Sequence, residues 1–155
     1  MKNYILKHFN ELSVNELHEI MALRQTVFIV EQNCPYLDAD FKDPESYHLY
    51  FKNSAGKIVA YSRLVPEGIS YPGYTSIGRV VVHPQIRQTG AGKQLMEESI
   101  RACIQCFGKI PIKISAQSYL EHFYTSFGFR KVSEPYMEDD IPHIAMVLES
   151  KENLY

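Results

Sequence analysis

The chain has 155 residues, 45% of them hydrophobic, enough for one domain with its own core and too apolar for a disordered chain. A formal net charge of −2 calls for no nucleic-acid partner, and no apolar run reaches the roughly 18–20 residues of a membrane span. Three cysteines are odd in number and few, and Met1 to Tyr4 carries no apolar leader, which points to a reducing compartment, the cytoplasm. No linker or repeat divides the sequence, so residues 1–155 read as a single domain.

In chain order, Tyr4 to Phe9 reads as a first strand. Ser13 and Glu16 form the S-x-x-E pattern of a capping box, and Leu17, Ile20, Met21, Leu23, Val27 and Phe28 follow at helical spacing. This predicts a helix from Val14 to about Glu31, broken in the segment around Pro35. Tyr47 to Lys52 and Lys57 to Val65 flank Asn53-Ser54-Ala55-Gly56, a hairpin signature. Tyr74 to His83 is a further strand, whose Val80-Val81-Val82 run predicts burial on both faces. A long helix is expected from Gly90 to Phe107, a strand from Ile110 to Ser115 and a short helix from Ser118 to Phe127. Strands from Phe129 to Val132 and from His143 to Leu148 close the chain. The order is β-α-β-β-β-α-β-α-β-β, an α/β domain with helices flanking a mixed sheet.

The strongest local signal runs from that valine strand through His83-Pro84 into Arg87-Gln88-Thr89-Gly90-Ala91-Gly92-Lys93. A buried strand enters a glycine-containing turn that opens a helix. The first helical turn leaves backbone N–H groups without partners, and the helix dipole adds partial positive charge there. A diphosphate satisfies both. Gly90 and Gly92 allow close backbone approach, and Arg87 and Lys93 add charge at the rim. The loop lacks the G-K-[ST] ending of a Walker loop and the G-x-G-x-x-G of a dinucleotide site. An ordinary strand-to-helix turn is the plain alternative.

Arg87, Gly90 and Gly92 match the R/Q-x-x-G-x-G/A signature of the GNAT superfamily of N-acetyltransferases, which this sequence resembles. Tyr124, four residues before Gly128-Phe129, matches a second family feature. The segments Leu23–Tyr36, Ile77–Val82 and Tyr136–His143 resemble the ElaA-type branch, with Asp140 standing where that pattern has glycine and Gln88 where glycine is common. The resemblance implies a GNAT-like, mostly antiparallel central sheet and acetyl-CoA as co-substrate. It also implies transfer of acetyl to a primary amine of a small molecule or peptide by direct attack. The front half is similar to acyl-homoserine lactone synthases as well, through Arg24, Val27-Phe28, Asp38, Asp40, Asp43 and Arg63-Leu64-Val65-Pro66. A non-catalytic acetyl-CoA sensor is the third reading.

Under that resemblance the residues divide into three jobs. Val80, Val81 and Val82 would pair with the pantetheine amides as a sheet edge does, with Gln117 and Ser118 as the other wall. Tyr124 would meet the departing thiolate, the alternative being a packing tyrosine. An amine of pKa near 10.4 is about 99.9% protonated at pH 7, and freeing its lone pair costs about 4–5 kcal/mol. Glu31 is therefore expected as the base, with His83 and Glu138 as alternatives. Arg24, Gln32, Tyr36, Arg63, Arg79 and His143 are expected around the acceptor, the arginines paired with Asp38, Asp40 and Glu31. Cys103 and Cys106 on a helix interior read as packing, with no metal expected, and Cys34 before Pro35 reads as exposed. GNAT-like folds often expose a sheet edge that a homodimer covers.

Overall fold

A computed structural model describes residues 3–150; Met1, Lys2 and residues 151–155, included in the single-domain reading, lie outside the described residues. Strand β1 (Tyr4–His8) leads to helix α1 (Val14–Arg24). The capping box closes as expected, with Glu16 N donating to Ser13 Oγ at 3.0 Å and Ser13 N donating to Glu16 Oε1 at 2.9 Å. Glu16 also receives Lys7 Nζ at 3.1 Å and the Tyr50 hydroxyl. Burial opposes its charge, yet these donors bring the carboxyl down to about 2.

The helix expected to continue to Glu31 changes type. Gln25–Glu31 is a π-helix, closed by Gln32 N to Val27 O at 3.2 Å and Cys34 N to Ile29 O at 3.1 Å. The wider turn is rare and gathers at functional sites.

β2 (Tyr47–Lys52), β3 (Ile58–Val65) and β4 (Ser76–Val82) extend β1 into an antiparallel sheet of order β1-β2-β3-β4. The hairpin at Asn53 forms, with Gly56 N donating to Asn53 O at 2.9 Å. After helix α2 (Ala91–Phe107), β5 (Ile112–Gln117) pairs with β8 (Ile141–Leu148) in a second antiparallel sheet. Helix α3 (Glu121–Thr125) is shorter than expected because Ser118–Leu120 forms a 3-10 turn first.

The outer edge of β8 holds β6 (Arg130–Lys131) and then β7 (Tyr136–Glu138). β7 is one strand more than the sequence order predicted. Asp139 and Asp140, at φ +49° and +61°, make the left-handed turn that reverses it into β8. Aspartate tolerates this backbone, so glycine is not required at Asp140.

The mixed, mostly antiparallel sheet is therefore two antiparallel sheets joined at one parallel point. Thr75 bridges Ile112, with Thr75 N to Pro111 O at 3.1 Å and Lys113 N to Thr75 O at 2.9 Å. Beyond it, no ladder joins β4 to β5 among the described residues, and a cleft opens between them.

Helix α2 lies over both sheets, burying Leu95, Met96, Ala102 and Cys103 against Leu64, Ile77, Ile114 and Met146. Fully burying a Leu or Met contributes about 1.5–3 kcal/mol. On the other face of the first sheet, α1 buries Ile20 and Leu23 against Tyr50, Tyr61 and Val81. Val81 is buried there, whereas Val80 and Val82 pack toward α2 and are only half-buried. The expected burial on both faces fails for those two, which the α2-side core covers only in part. Cys103 is buried, donates to Thr75 Oγ1 at 3.4 Å and is pushed up to about 11 by burial. Among the described residues no cluster of His, Cys, Asp or Glu suits a metal ion, and no helix is long and apolar enough to cross a membrane.

Candidate active site

Four elements converge on the cleft: the end of β4, the first turn of α2, the end of β5, and α3. Gly90 caps α2 at φ +84°, a conformation that glycine adopts without strain, and no side chain caps the helix. A Cβ placed on Gly90 would meet nothing within 4 Å, so the space in front of the helix is open. At Gly92 the same Cβ would lie 4.0 Å from the Phe123 ring, so α3 abuts the first turn of α2. Gln88, at φ +63°, is a non-glycine residue in left-handed backbone, which gives a physical reason for glycine being common there. Thr89 Oγ1 donates to Ile86 O and tightens the loop; Ala91, buried at 2% exposure, and the neighbouring Lys93 start the helix.

On the far wall, the Ser118 hydroxyl is buried and has no hydrogen-bond partner among the described residues. An orphaned polar atom after β5 and an uncapped helix end at α2 fit a ligand that brings acceptors and a diphosphate. Tyr124 is 8% exposed, edge-on to Phe123 with centroids 5.1 Å apart and to Phe129 at 6.0 Å. Burial pushes its phenol up to about 12, so it stays protonated at neutral pH.

Glu31 ends the first helix as expected, but its partner is Arg87 and not the buried arginines. Arg87 grips its carboxylate with two nitrogens, at 2.5 and 3.1 Å. The Arg87 hydrogen bond lowers the carboxyl below its usual range. A paired, weakened base suits proton abstraction poorly; the pairing instead ties the π-helix to the phosphate loop. His83 Nδ1 accepts from Gln85 N at 3.1 Å, which shapes the turn before Pro84–Ile86.

The three arginines do form an ionic network, with Asp43 taking the place predicted for Glu31. Arg24 is fully buried and pairs with Asp38 at 2.9 Å and Asp43 at 2.7 Å. Arg63 is bidentate to Asp40, at 2.7 and 2.8 Å, and reaches Asp43 at 3.0 Å. Arg79 binds Asp38 at 2.8 Å. Tyr36 adds its hydroxyl to Asp38 at 3.0 Å, and Arg79 lies over its ring at 5.6 Å. Arg24 and Arg63 are therefore corrected from acceptor-binding residues to buried supports: no substrate reaches a side chain so enclosed. What they support is β4. Arg79 sits at φ +51° where the β3–β4 register slips opposite Ser62. Such a bulge takes one residue out of the ladder, and the ion pairs hold it beside the cleft.

His48 lies beneath this network, with Nδ1 2.7 Å from the Tyr61 hydroxyl and Nε2 3.0 Å from Asp43 O. Burial lowers its pKa to about 4. Burial opposes ionisation of Asp40 and Asp43, yet hydrogen bonds from Arg63 and Arg24 hold both carboxyls below their usual range. All three folded pKa values are thus depressed, and the unfolded chain binds more protons in acid. The stabilisation is complete above the unfolded values and is lost as pH falls toward the folded ones. Thermal unfolding should be flat above about pH 7. It should soften from about pH 6.5 to 4 as His48 loses about 3 kcal/mol, and steepen below about pH 4 as the carboxylates follow. A midpoint constant from pH 7 to 4 would contradict the burial of His48.

The remaining predicted residues meet on one face of the second sheet. Gln117 pairs with His143 across β5 and β8, and Gln117 Nε2 reaches Gln32 Oε1 at 3.5 Å over the cleft. His143 Nε2 is 3.3 Å from Glu138 Oε2, and Ser115 Oγ donates to the same carboxylate at 3.1 Å. Tyr136 stacks on His143. Cys34, expected to be exposed, is buried and donates to Asp139 O at 3.1 Å, pinning the loop after the π-helix to the β7–β8 turn. Sequence reading named Asp43 only through the likeness to acyl-homoserine lactone synthases, not as the arginines' partner, and gave Ser115 and Tyr136 no role. Their side chains matter only through pairings across the fold, for which spacing carries no signal.

Comparison with known proteins shows the family and the fold. The family model for the acetyltransferase (GNAT) domain matches residues 12–150. Protein ElaA of Escherichia coli is 41% identical over 145 residues, 92% of this chain and 93% of its own. Its crystal structure has a TM-score of 0.88 at 38% identity, covering 96% of this chain and 100% of that one. An acyl-CoA N-acyltransferase from Pseudomonas aeruginosa gives 0.89 at 38% identity, over 95% and 99% of the two chains. A CoA-dependent acyl-homoserine lactone synthase, BjaI, gives 0.76 at 16% identity, over 98% and 84%, a likeness of fold alone.

Proposed function

Because the chain belongs to the GNAT acetyltransferases, whose fold implies an acyl-CoA co-substrate, we propose that it moves acetyl from acetyl-CoA to a primary amine by direct attack. The observation that carries this reading is the open, uncapped start of α2 at Gly90 beside the cleft between β4 and β5. The diphosphate lies against the main-chain donors of Gly90 to Lys93, each such charge contact contributing about 0.3–1 kcal/mol. Pantetheine runs along Val80 to Val82, with Gln117 and the Ser118 hydroxyl as the facing wall. The thioester then stands within reach of Tyr124.

In the reaction the amine lone pair forms a C–N bond to the thioester carbon. The C–S bond breaks with its electron pair leaving on sulfur, and one proton passes, in net, from nitrogen to sulfur. Moving a proton wholly from a phenol at about 12 to a thiolate near 8.5 would cost about 5 kcal/mol. Tyr124 therefore serves as a hydrogen-bond donor to the developing thiolate more than as its proton source. Thiol release from acetyl-CoA over a panel of primary amines tests the function. Turnover with at least one amine is expected. Tight CoA binding without turnover on any would favour a sensor.

A further inference from the structure

β4 and β5 meet at their starts through the Thr75–Ile112 bridge. Past their ends a chain of side chains joins them a second time. Arg87, on the loop after β4, grips the Glu31 carboxylate with both terminal nitrogens, at 2.5 and 3.1 Å. Beside it, Gln32 Oε1 accepts at 3.5 Å from Nε2 of Gln117, the last residue of β5. Two residues on, Cys34 Sγ donates to Asp139 O at 3.1 Å in the turn before β8. The last turn of the π-helix fixes this segment from within, since Gln32 N and Cys34 N each donate to the carbonyl five residues back. Glu31 is therefore a held partner for Arg87, tied to the second sheet by its two neighbours.

Arg87 is equally occupied. Its Nε lies 3.4 Å from Val82 O at the end of β4, so each nitrogen of the guanidinium already has an acceptor on the protein. The loop that follows is the strained part of the site. Gln88 stands at φ +63° and Gly90 at φ +84°. A non-glycine residue in left-handed backbone persists only where its surroundings hold it. On one side the Thr89 hydroxyl donates to Ile86 O. On the other, the Arg87 fork anchors the chain to the π-helix, and this charge-assisted tie is the stronger of the two. The main-chain donors from Gly90 onward meet a diphosphate in good geometry only while the loop keeps this path, and a loop held in its binding shape in advance binds more tightly.

Resting on the acyl-CoA reading above, we propose that Glu31 is a positioning residue for CoA: it holds the Arg87 guanidinium as a brace that keeps the strained loop in its phosphate-receiving shape, so that Arg87 acts on the diphosphate through the loop and not by contact. The opposite role would reverse the sign of one substitution. Were Arg87 itself a phosphate ligand, Glu31 would compete with the diphosphate for it, and removing Glu31 would tighten CoA binding.

Calorimetry with CoA on Glu31→Ala, Arg87→Ala, the double variant, and the exchange of Glu31→Arg with Arg87→Glu tests this. Each single change should weaken CoA by about three- to fivefold. The double variant should bind no more weakly than either single one, because both remove the same brace. The exchange should recover part of the loss, although it sets a carboxylate in the phosphate loop. In turnover, Glu31→Ala should raise KM for acetyl-CoA by the same factor and hold kcat within about twofold. Thermal midpoints should stay near wild type, since both side chains are 40% exposed and such pairs add little to stability. Tighter CoA binding by Glu31→Ala, or an exchange variant weaker than Arg87→Ala, overturns the inference and makes Arg87 a direct ligand. Single variants that match wild-type affinity also overturn it, as does a collapse of kcat in Glu31→Ala at unchanged KM. If the exchange variant does not fold, the sign for Glu31→Ala and the coupling in the double variant decide. A wild-type chain that binds no CoA overturns the acyl-CoA reading as well.

Discussion

Tyr124→Phe should lower kcat with acetyl-CoA by about 10–100-fold while CoA affinity changes less than about twofold. A hydrogen bond to a charged group contributes about 1.5–3 kcal/mol, and under the proposed mechanism the phenol meets full charge only as the C–S bond breaks. The interaction therefore belongs to the transition state and appears in kcat. The ring itself packs between Phe123 and Phe129, and phenylalanine keeps that packing, so the thermal midpoint should barely move. Stopped-flow thiol release with calorimetry on the same samples separates the two effects. Unchanged turnover would reduce Tyr124 to a packing residue of the core.

Arg24→Ala should be the most destabilising single change at the site, by about 3–5 kcal/mol. It leaves Asp38 and Asp43, both nearly enclosed, without the cation that Arg24 supplies. Arg63 and Arg79 offset part of the loss, since they share those carboxylates. The effect should also reach function, because Asp38 holds Arg79 on the strained bulge of β4. Urea titration should show a lower midpoint, and the surviving folded enzyme a higher KM for acetyl-CoA. A midpoint within experimental scatter of wild type would mean the network contributes only register, as some buried ion pairs do. Arg24→Lys should recover little, because an ammonium cannot bridge two carboxylates as a guanidinium fork does.

Much of this was legible in the sequence where the signal is local. The capping box at Ser13, the hairpin at Asn53 and the strand-turn-helix at Gly90 each depend on neighbouring residues, and each stands where expected. The π-helix was not legible, since Gln25 to Glu31 continues the α-helical spacing while its hydrogen bonds skip one residue further. β7 escaped because it is short, exposed throughout, and turned by two aspartates in place of the usual Asn-Gly. At the candidate site, Arg24, Arg63 and Arg79 were found by their odd placement among apolar residues. Their partner Asp43 was not, because which acid meets which arginine is settled by the path of the loop from Asn33 to Ser46. Glu31 was expected beside the buried arginines, and the structure pairs it with Arg87 of the phosphate loop instead.

The central claim is that main-chain donors at the start of α2 receive the diphosphate of an acyl-CoA. A crystal structure with acetyl-CoA measures this directly. Phosphate oxygens within about 3 Å of the amides from Gly90 to Lys93, with pantetheine between β4 and β5, are predicted. A nucleotide bound elsewhere, with that helix end facing only solvent, would contradict the account.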